Sequence, residues 1–149
     1  AINLTTPFKM IKETLPIMRK NKWGRIINIS SVHGSVASQF KSGYVSSKHG
    51  LVGLTKVIAL ETAKENITCN AIGPGFVDTE LVKKQIRNLS KKRGLSFKKI
   101  SNNLLKEKHP SMNFIKKDDV SSLAYYLTTN QASQITGSNL IIDGGWTAQ

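Results

Sequence analysis

Apolar side chains recur along this chain in two rhythms. In FKMIKETLPIMRK, Phe8, Ile11, Leu15 and Met18 stand three or four residues apart, the spacing of one helix face, which predicts a helix over 8–20 with Pro16 as a kink. Trp23-Gly24 interrupts it. Arg25-Ile26-Ile27-Asn28-Ile29 then reads as a short buried strand opening into the small residues Ser30, Ser31 and Gly34. From Ser42 to Glu65 a long helix is predicted, because Leu51, Leu54, Val57, Ile58 and Glu61 follow a helical period. ITCNAI at 67–72 is the second strand, stopped by Gly73-Pro74-Gly75. Residues 79–109 pattern as basic amphipathic helices broken near Gly94. A further helix over 118–129 has Asp118 or Asp119 near its N-terminus, and a third strand covers 139–143 before Gly144-Gly145.

Apolar strands separated by helices imply an α/β fold with a parallel sheet of βαβ units. Ligands of such sheets bind beyond the carboxyl ends of the strands. The polar and glycine-rich stretches at 30–34, 73–79 and 143–146 all follow strands, so they are expected to gather on one rim. No internal repeat or linker divides the chain, and 149 residues fit one domain.

Charge complicates this balanced picture. The net charge is +13, which by itself suggests a nucleic acid or an anionic membrane as partner. Residues 83–117, however, carry twelve basic side chains and one acid, Glu107, so this segment supplies eleven of the thirteen surplus charges. Its only aromatic residues are Phe97 and Phe114, and it holds no nucleic-acid motif, so no nucleic acid is expected; a basic binding module is the competing class. No apolar run reaches the roughly 18 residues of a membrane-spanning helix. The N-terminal residues lack a signal-peptide pattern. A single cysteine, Cys69, has no partner for an internal disulfide, and a reducing cytoplasm is the expected compartment. His33, His49 and His109 are scattered, so no metal site is expected.

Candidate chemistry begins at Tyr44-Val45-Ser46-Ser47-Lys48, where a phenol and an ammonium four residues apart share a helix face. A neighbouring cation favours the phenolate, which suits Tyr44 to general acid–base work. Taken alone, such a pair is an ordinary surface feature. Ser31 gives it weight, because a hydroxyl at the end of the preceding strand can face a phenol at the start of the next helix. Pro74-Gly75-Phe76-Val77-Asp78-Thr79 follows the second strand in the same way.

The combination of Ser31, Tyr44-x-x-x-Lys48 and Pro74-Gly75-x-Val77-x-Thr79 resembles the short-chain dehydrogenase/reductase family. Asn3, Asn70-Ala71-Ile72 and Asp143-Gly144-Gly145 match further family features in the same order. The resemblance spans the whole chain. It implies the C-terminal part of a Rossmann-type doubly wound parallel sheet, three strands with flanking helices, with the N-terminal βαβ units and their glycine-rich turn absent. The chain is then expected to be a fragment, a split gene product or a decayed copy, with an unpaired sheet edge and doubtful activity alone. Residues 1–149 become the catalytic and substrate-binding part of one domain, and 79–117 a basic helical lid within it.

The resemblance implies Asn3, Ser31, Tyr44 and Lys48 as catalytic residues. Tyr44, Lys48, Pro74, Gly75, Val77 and Thr79 would contact the cofactor, NAD, with NADP as the alternative because the deciding residue lies in the absent part. Within the family, Ser31-Val32-His33, Lys41, Leu81-Val82-x-x-Gln85 and Gly144-Gly145-Trp146 resemble bacterial-type D-3-hydroxybutyrate dehydrogenases. That implies NAD-linked interconversion of (R)-3-hydroxybutyrate and acetoacetate. His33, Lys41 and Gln85 would hold the carboxylate, and Trp146 would close the pocket. Phe76 stands where those relatives carry Trp, so the pocket wall differs there. The implied partners are a small anionic hydroxy or keto acid and either a homotetramer or a complementary N-terminal half. Alternatives are another short-chain dehydrogenase acting on a small hydroxy acid or alcohol, and a nonfunctional remnant.

Overall fold

In a computed structural model that describes residues 1–148, one parallel sheet runs in the order β1 (Gly24–Ile29), β2 (Ile67–Pro74), β3 (Asn139–Ile142). Helix α1 (Thr5–Lys20) precedes β1, and α2 (Ser42–Glu61) connects β1 to β2. Between β2 and β3 lie α3 (Glu80–Arg93), α4 (Phe97–Lys108) and α5 (Lys117–Thr128). Every residue of β2 is buried, as expected for a central parallel strand covered on both faces.

Two apolar clusters make those covers. On one face α1 and α2 bring Ile11, Leu15, Ile58 and Ala59 against Ile26, Ile67 and Cys69. On the other, α5 and the chain after it bring Leu127 and Ala132 against Ile72, with Val120, Leu123, Leu140 and Ile142 packed around them. Burying a side chain such as Ile72 completely contributes about 1.5–3 kcal/mol. These layers are the α/β arrangement read from the sequence.

The element boundaries differ by a few residues, for identifiable reasons. Helix α1 begins at Thr5 and runs through Pro16; Ile11 and Leu15 are buried, but Phe8 is 53% exposed. Helix α2 stops at Glu61 rather than Glu65. The Thr62 hydroxyl bonds the carbonyl of Ile58 at 2.8 Å and that of Ile67 at 3.3 Å, tying the helix end to the start of β2. Strand β2 continues past Ile72 because Gly73 and Pro74 pair with Ile141 and Ile142 of β3. Between α3 and α4, Gly94 takes the left-handed conformation (φ 63°) that ends a helix most readily at glycine. Thr79 caps α3 by accepting from the Val82 N–H, and Ser96 caps α4 by accepting from that of Lys99. At α5 the capping carboxylate is that of Asp119, which accepts from the Lys116 N–H at 2.9 Å.

Among the described residues strand β1 pairs with β2 alone and leaves its other edge open. Ile2, Asn3, Met10, Met18, Ile29 and Lys48 border a groove of about 450 Å³ along that edge. No helix is long and apolar enough to cross a membrane, among the described residues.

Candidate active site

The three polar stretches that follow the strands do meet. The Ser30 N–H donates to the Ile72 carbonyl at 2.7 Å, the Gly75 N–H to that of Ile142 at 2.8 Å, and the Ser111 N–H to that of Gly144 at 2.9 Å. This rim lies at the carboxyl ends of the strands, where α/β sheets bind their ligands.

Helix α2 presents Tyr44 and Lys48 to the rim one turn apart. The Lys48 ammonium lies 5.7 Å from the centre of the Tyr44 ring. Tyr44 is 40% exposed, whereas Lys48 is buried and donates to the Ile29 carbonyl at 2.8 Å. Burial pushes the Lys48 pKa below its usual value. Ser31, at the end of β1, is buried; its hydroxyl accepts from the His33 N–H at 3.2 Å and lies 3.4 Å from His33 Nδ1. Among the described residues no hydrogen bond joins Ser31 to Tyr44; the imidazole of His33 neighbours both, its ring centre 5.7 Å from that of Tyr44.

His33 also meets Trp146 edge-on at 5.5 Å and bonds the Ser38 hydroxyl through Nε2 at 2.9 Å. Burial and the cations Lys41 and Lys108 push its pKa down, favouring the neutral ring. Its partners Ser38 and Trp146 border a second cavity of about 490 Å³. Lys41, Phe76, Gln85 and Trp146 all line that cavity, together with Ser38 and Lys108. Lys41 and Gln85 arrive from opposite sides, one at the start of α2 and the other on α3. Of the implied carboxylate contacts, Lys41 and Gln85 thus share one space, and His33 stands beside it against Ser38 and Trp146.

Asn3 is elsewhere. It lines the groove beside the open edge of β1 with Lys48, so Lys48 is the residue that connects groove and rim. The remaining positions form a continuous ribbon. Pro74 ends β2, Gly75 is tied to β3, Val77 forms a bridge with Ile115, and Thr79 caps α3. Among the described residues no cluster of potential metal ligands occurs.

Two residues on this rim have no site role predicted from the sequence. Lys108 holds its ammonium 5.6 Å from the Trp146 ring centre, and His109 is wholly buried between Phe76 and Trp146. A lysine in a basic helix and an isolated histidine carry no motif. Only their position at the end of α4, folded back over the rim, distinguishes them.

Known proteins similar to it along its length place the chain. The family model described as enoyl-(acyl carrier protein) reductase matches residues 1–147. The D-beta-hydroxybutyrate dehydrogenase of Rhizobium meliloti (strain 1021) is 49% identical over all 149 residues, and that of Cupriavidus necator 48% identical. The chain spans 58% of the length of each of these curated relatives. Among solved structures, 4-hydroxyisoleucine dehydrogenase complexed with NADH is 38% identical with a TM-score of 0.87, over 99% of this chain and 57% of that one. The F189W actinorhodin polyketide ketoreductase with NADPH is 30% identical with a TM-score of 0.91, over the same 99% and 57%. A rim built from Ser31, Tyr44 and Lys48 on a parallel sheet, matched along its whole length by these oxidoreductases, makes this chain a member of the short-chain dehydrogenase/reductase family.

Proposed function

We propose that this chain is the catalytic and substrate-binding part of an enzyme that oxidises (R)-3-hydroxybutyrate reversibly to acetoacetate, with NAD as the expected cofactor and NADP as the alternative. One observation carries the reading: His33 packs against Trp146 and Ser38, which line the cavity with Lys41 and Gln85, and on its other side against Tyr44, the neighbour of Lys48. A small anion with a hydroxyl a few bonds from its carboxylate fits that layout. The two D-beta-hydroxybutyrate dehydrogenases support the choice of acid.

The residues present suit the nicotinamide end of a dinucleotide. Lys48 is a buried cation with one backbone partner, which leaves two ammonium hydrogens for ribose hydroxyls. Val77 and Thr79 steady the nicotinamide carboxamide, beside Pro74 and Gly75. When bound, the nicotinamide ring supplies the hydride acceptor. Tyr44 takes the proton of the C3 hydroxyl, Ser31 hydrogen-bonds the same oxygen, and Lys48 stabilises negative charge on the phenolate oxygen. Asn3 shares the groove with Lys48 and serves the outward passage of that proton through water. Lys41 pairs with the carboxylate, His33 and Gln85 donate to it, and Trp146 with Phe76 excludes water from the apolar end. Helices α3 and α4 act as a basic lid over this pocket.

The open edge of β1 and its apolar groove fit a complementary N-terminal half. Such a half would add strands there and the remainder of the dinucleotide site, before assembly into a homo-oligomer. The test is to complete the chain by fusion to the N-terminal part of the Rhizobium meliloti relative that it does not cover. Acetoacetate reduction followed through NADH absorbance is the expected result, with Tyr44→Phe lowering the rate at least 100-fold. A completed enzyme that folds but reduces no acetoacetate would exclude this substrate.

A further inference from the structure

We propose that His109, as a neutral imidazole, is a positioning residue that pins both aromatic walls of the substrate cavity, Phe76 and Trp146, to the end of α4. The inference rests on the dehydrogenase reading for what the cavity holds, and on geometry alone for how its walls are held.

Hydrogen bonding assigns the tautomer. Nδ1 of His109 lies 3.0 Å from the Asn113 carbonyl oxygen, which can only accept, so Nδ1 carries the proton. Nε2 therefore presents its lone pair, and it accepts from the Phe76 N–H at 3.0 Å. Both nitrogens are satisfied and the side chain is 0% exposed. The ring stacks on Phe76, 5.5 Å between centres at 16°, and lies 5.8 Å from Trp146; Phe76 and Trp146 are themselves 5.2 Å apart. Two glycines make room for it. A Cβ on Gly75 would meet Nε2 at 2.6 Å, and one on Gly144 would meet Nδ1 at 3.1 Å. One imidazole thus joins the end of α4, the 110–113 turn, the loop after β2 and the loop after β3.

A second proton would sit on Nε2, facing a backbone N–H that is already donating to it. Protonation therefore replaces a hydrogen bond by two opposed donors and frees Phe76 from α4. Asp143, on the loop after β3, is the charged group that favours this protonation. Lys108, next to His109 on α4, directs its ammonium over Trp146 and pairs with Glu107. Burial outweighs the pull of Asp143 and the Asn113 carbonyl, so the imidazole pKa lies below its usual value. The cavity walls are accordingly held near neutral pH and released in acid.

Amide hydrogen exchange and ¹⁵N chemical shifts of the 149-residue chain test this without any turnover. In the wild type the Nδ1–H tautomer is expected, and Phe76 amide protection should fall at least tenfold as pH drops from 7.5 through the His109 titration. The Ala71 and Ser30 amides, bonded to Ser138 and Ile72, should remain protected and report that the sheet is intact. His109→Gln offers a carbonyl acceptor and an amide donor in place of the ring, so it should keep Phe76 protected at every pH. His109→Leu should lose that protection at every pH and shift Trp146 emission to the red. An Nε2–H tautomer, or protection of Phe76 that does not change with pH in the wild type, would overturn the proposal. If His109→Leu unfolds the sheet, the wild-type titration and His109→Gln decide. Failure here leaves the dehydrogenase reading intact, and a completed enzyme inactive on acetoacetate leaves this one intact.

Discussion

Lys48 reaches the Ile29 carbonyl oxygen at 2.8 Å, and among the described residues no carboxylate pairs with this buried ammonium. A cation with one backbone partner is held at a cost in stability, since burial favours its neutral form. The sign follows from linkage. The folded-state pKa lies below the reference value of 10.5, so the folded chain binds this proton less tightly than the unfolded chain. The penalty is full below the folded pKa and disappears as pH rises past 10.5. Lys48→Met keeps the stem and removes the charge, while the half-exposed Ile29 can turn its carbonyl to water. Urea unfolding at pH 7 should show the variant more stable by about 1 kcal/mol. In the completed enzyme its turnover should fall at least 100-fold. A less stable variant would mean that the bond to Ile29 outweighs the burial cost.

Local spacing made part of this site legible. Tyr44 and Lys48 are one helical turn apart in any α-helix, and the central strand announces itself by Ile67-Thr68-Cys69-Asn70-Ala71-Ile72 running into Gly73-Pro74-Gly75. Strand ends followed by Ser31, Pro74-Gly75 and Gly144-Gly145 likewise imply a shared rim before any coordinates exist. The missing information is long-range. Lys41, at the start of α2, and Gln85, on α3, line one cavity although 44 residues apart in sequence, a relationship no periodicity encodes. His109 is the sharper case: its role comes from Phe76, Asn113 and Trp146 converging on it, and none of those contacts leaves a pattern in the residues beside it. Phe8 shows the opposite failure. Helical spacing puts it on the buried face with Ile11, yet it ends half exposed, bordering a surface groove between α1 and α2 with Leu15 and Ile58.

Lys41 lines the cavity with Gln85 and Trp146, and its charge acts on the neighbouring His33. A charge-assisted bond to a carboxylate contributes about 1.5–3 kcal/mol. Lys41→Met in the completed enzyme should therefore raise KM for acetoacetate roughly 10- to 100-fold while kcat changes much less, because the contact exists in ground and transition states alike. Steady-state kinetics separates the two. A fall confined to kcat would place Lys41 at the reacting oxygen instead.

Cys69 occupies the middle of β2 with no solvent exposure, and burial pushes its thiol pKa up to about 12, against a small opposing effect from the Thr55 hydroxyl. The thiolate is the reactive form, so an aromatic disulfide reagent at pH 8 should leave the native chain unlabelled. The labelling rate should then follow the opening of the sheet, rising with urea along the same curve as Trp fluorescence. Labelling in native buffer within minutes would mean that β2 opens locally, at the strand that ought to be best protected.

Asp143 holds the loop after β3 in place with three hydrogen bonds. Its carboxylate accepts from the Gly145 N–H at 2.9 Å and from both the N–H and the hydroxyl of Thr147 at 2.7 Å. Burial opposes the charge, but the Thr147 and Gly145 bonds and the nearby His109 outweigh it, and the net pKa shift is downward. A lowered carboxyl pKa stabilises the fold fully above the unfolded value, and that contribution is lost as pH falls through the folded value. Asp143→Asn puts an amide NH2 against one of these donors and removes the charge. Urea midpoints should fall by the equivalent of about 1–2 kcal/mol at pH 7. The difference from wild type should persist to roughly the unfolded carboxyl value of 3.8 and shrink below it. Because Trp146 sits on the same loop, its fluorescence reads both the unfolding and the loop itself. A difference that stayed constant down to pH 2 would show that the packing of the loop around Gly144 and Gly145, and not the Asp143 charge, sets its stability.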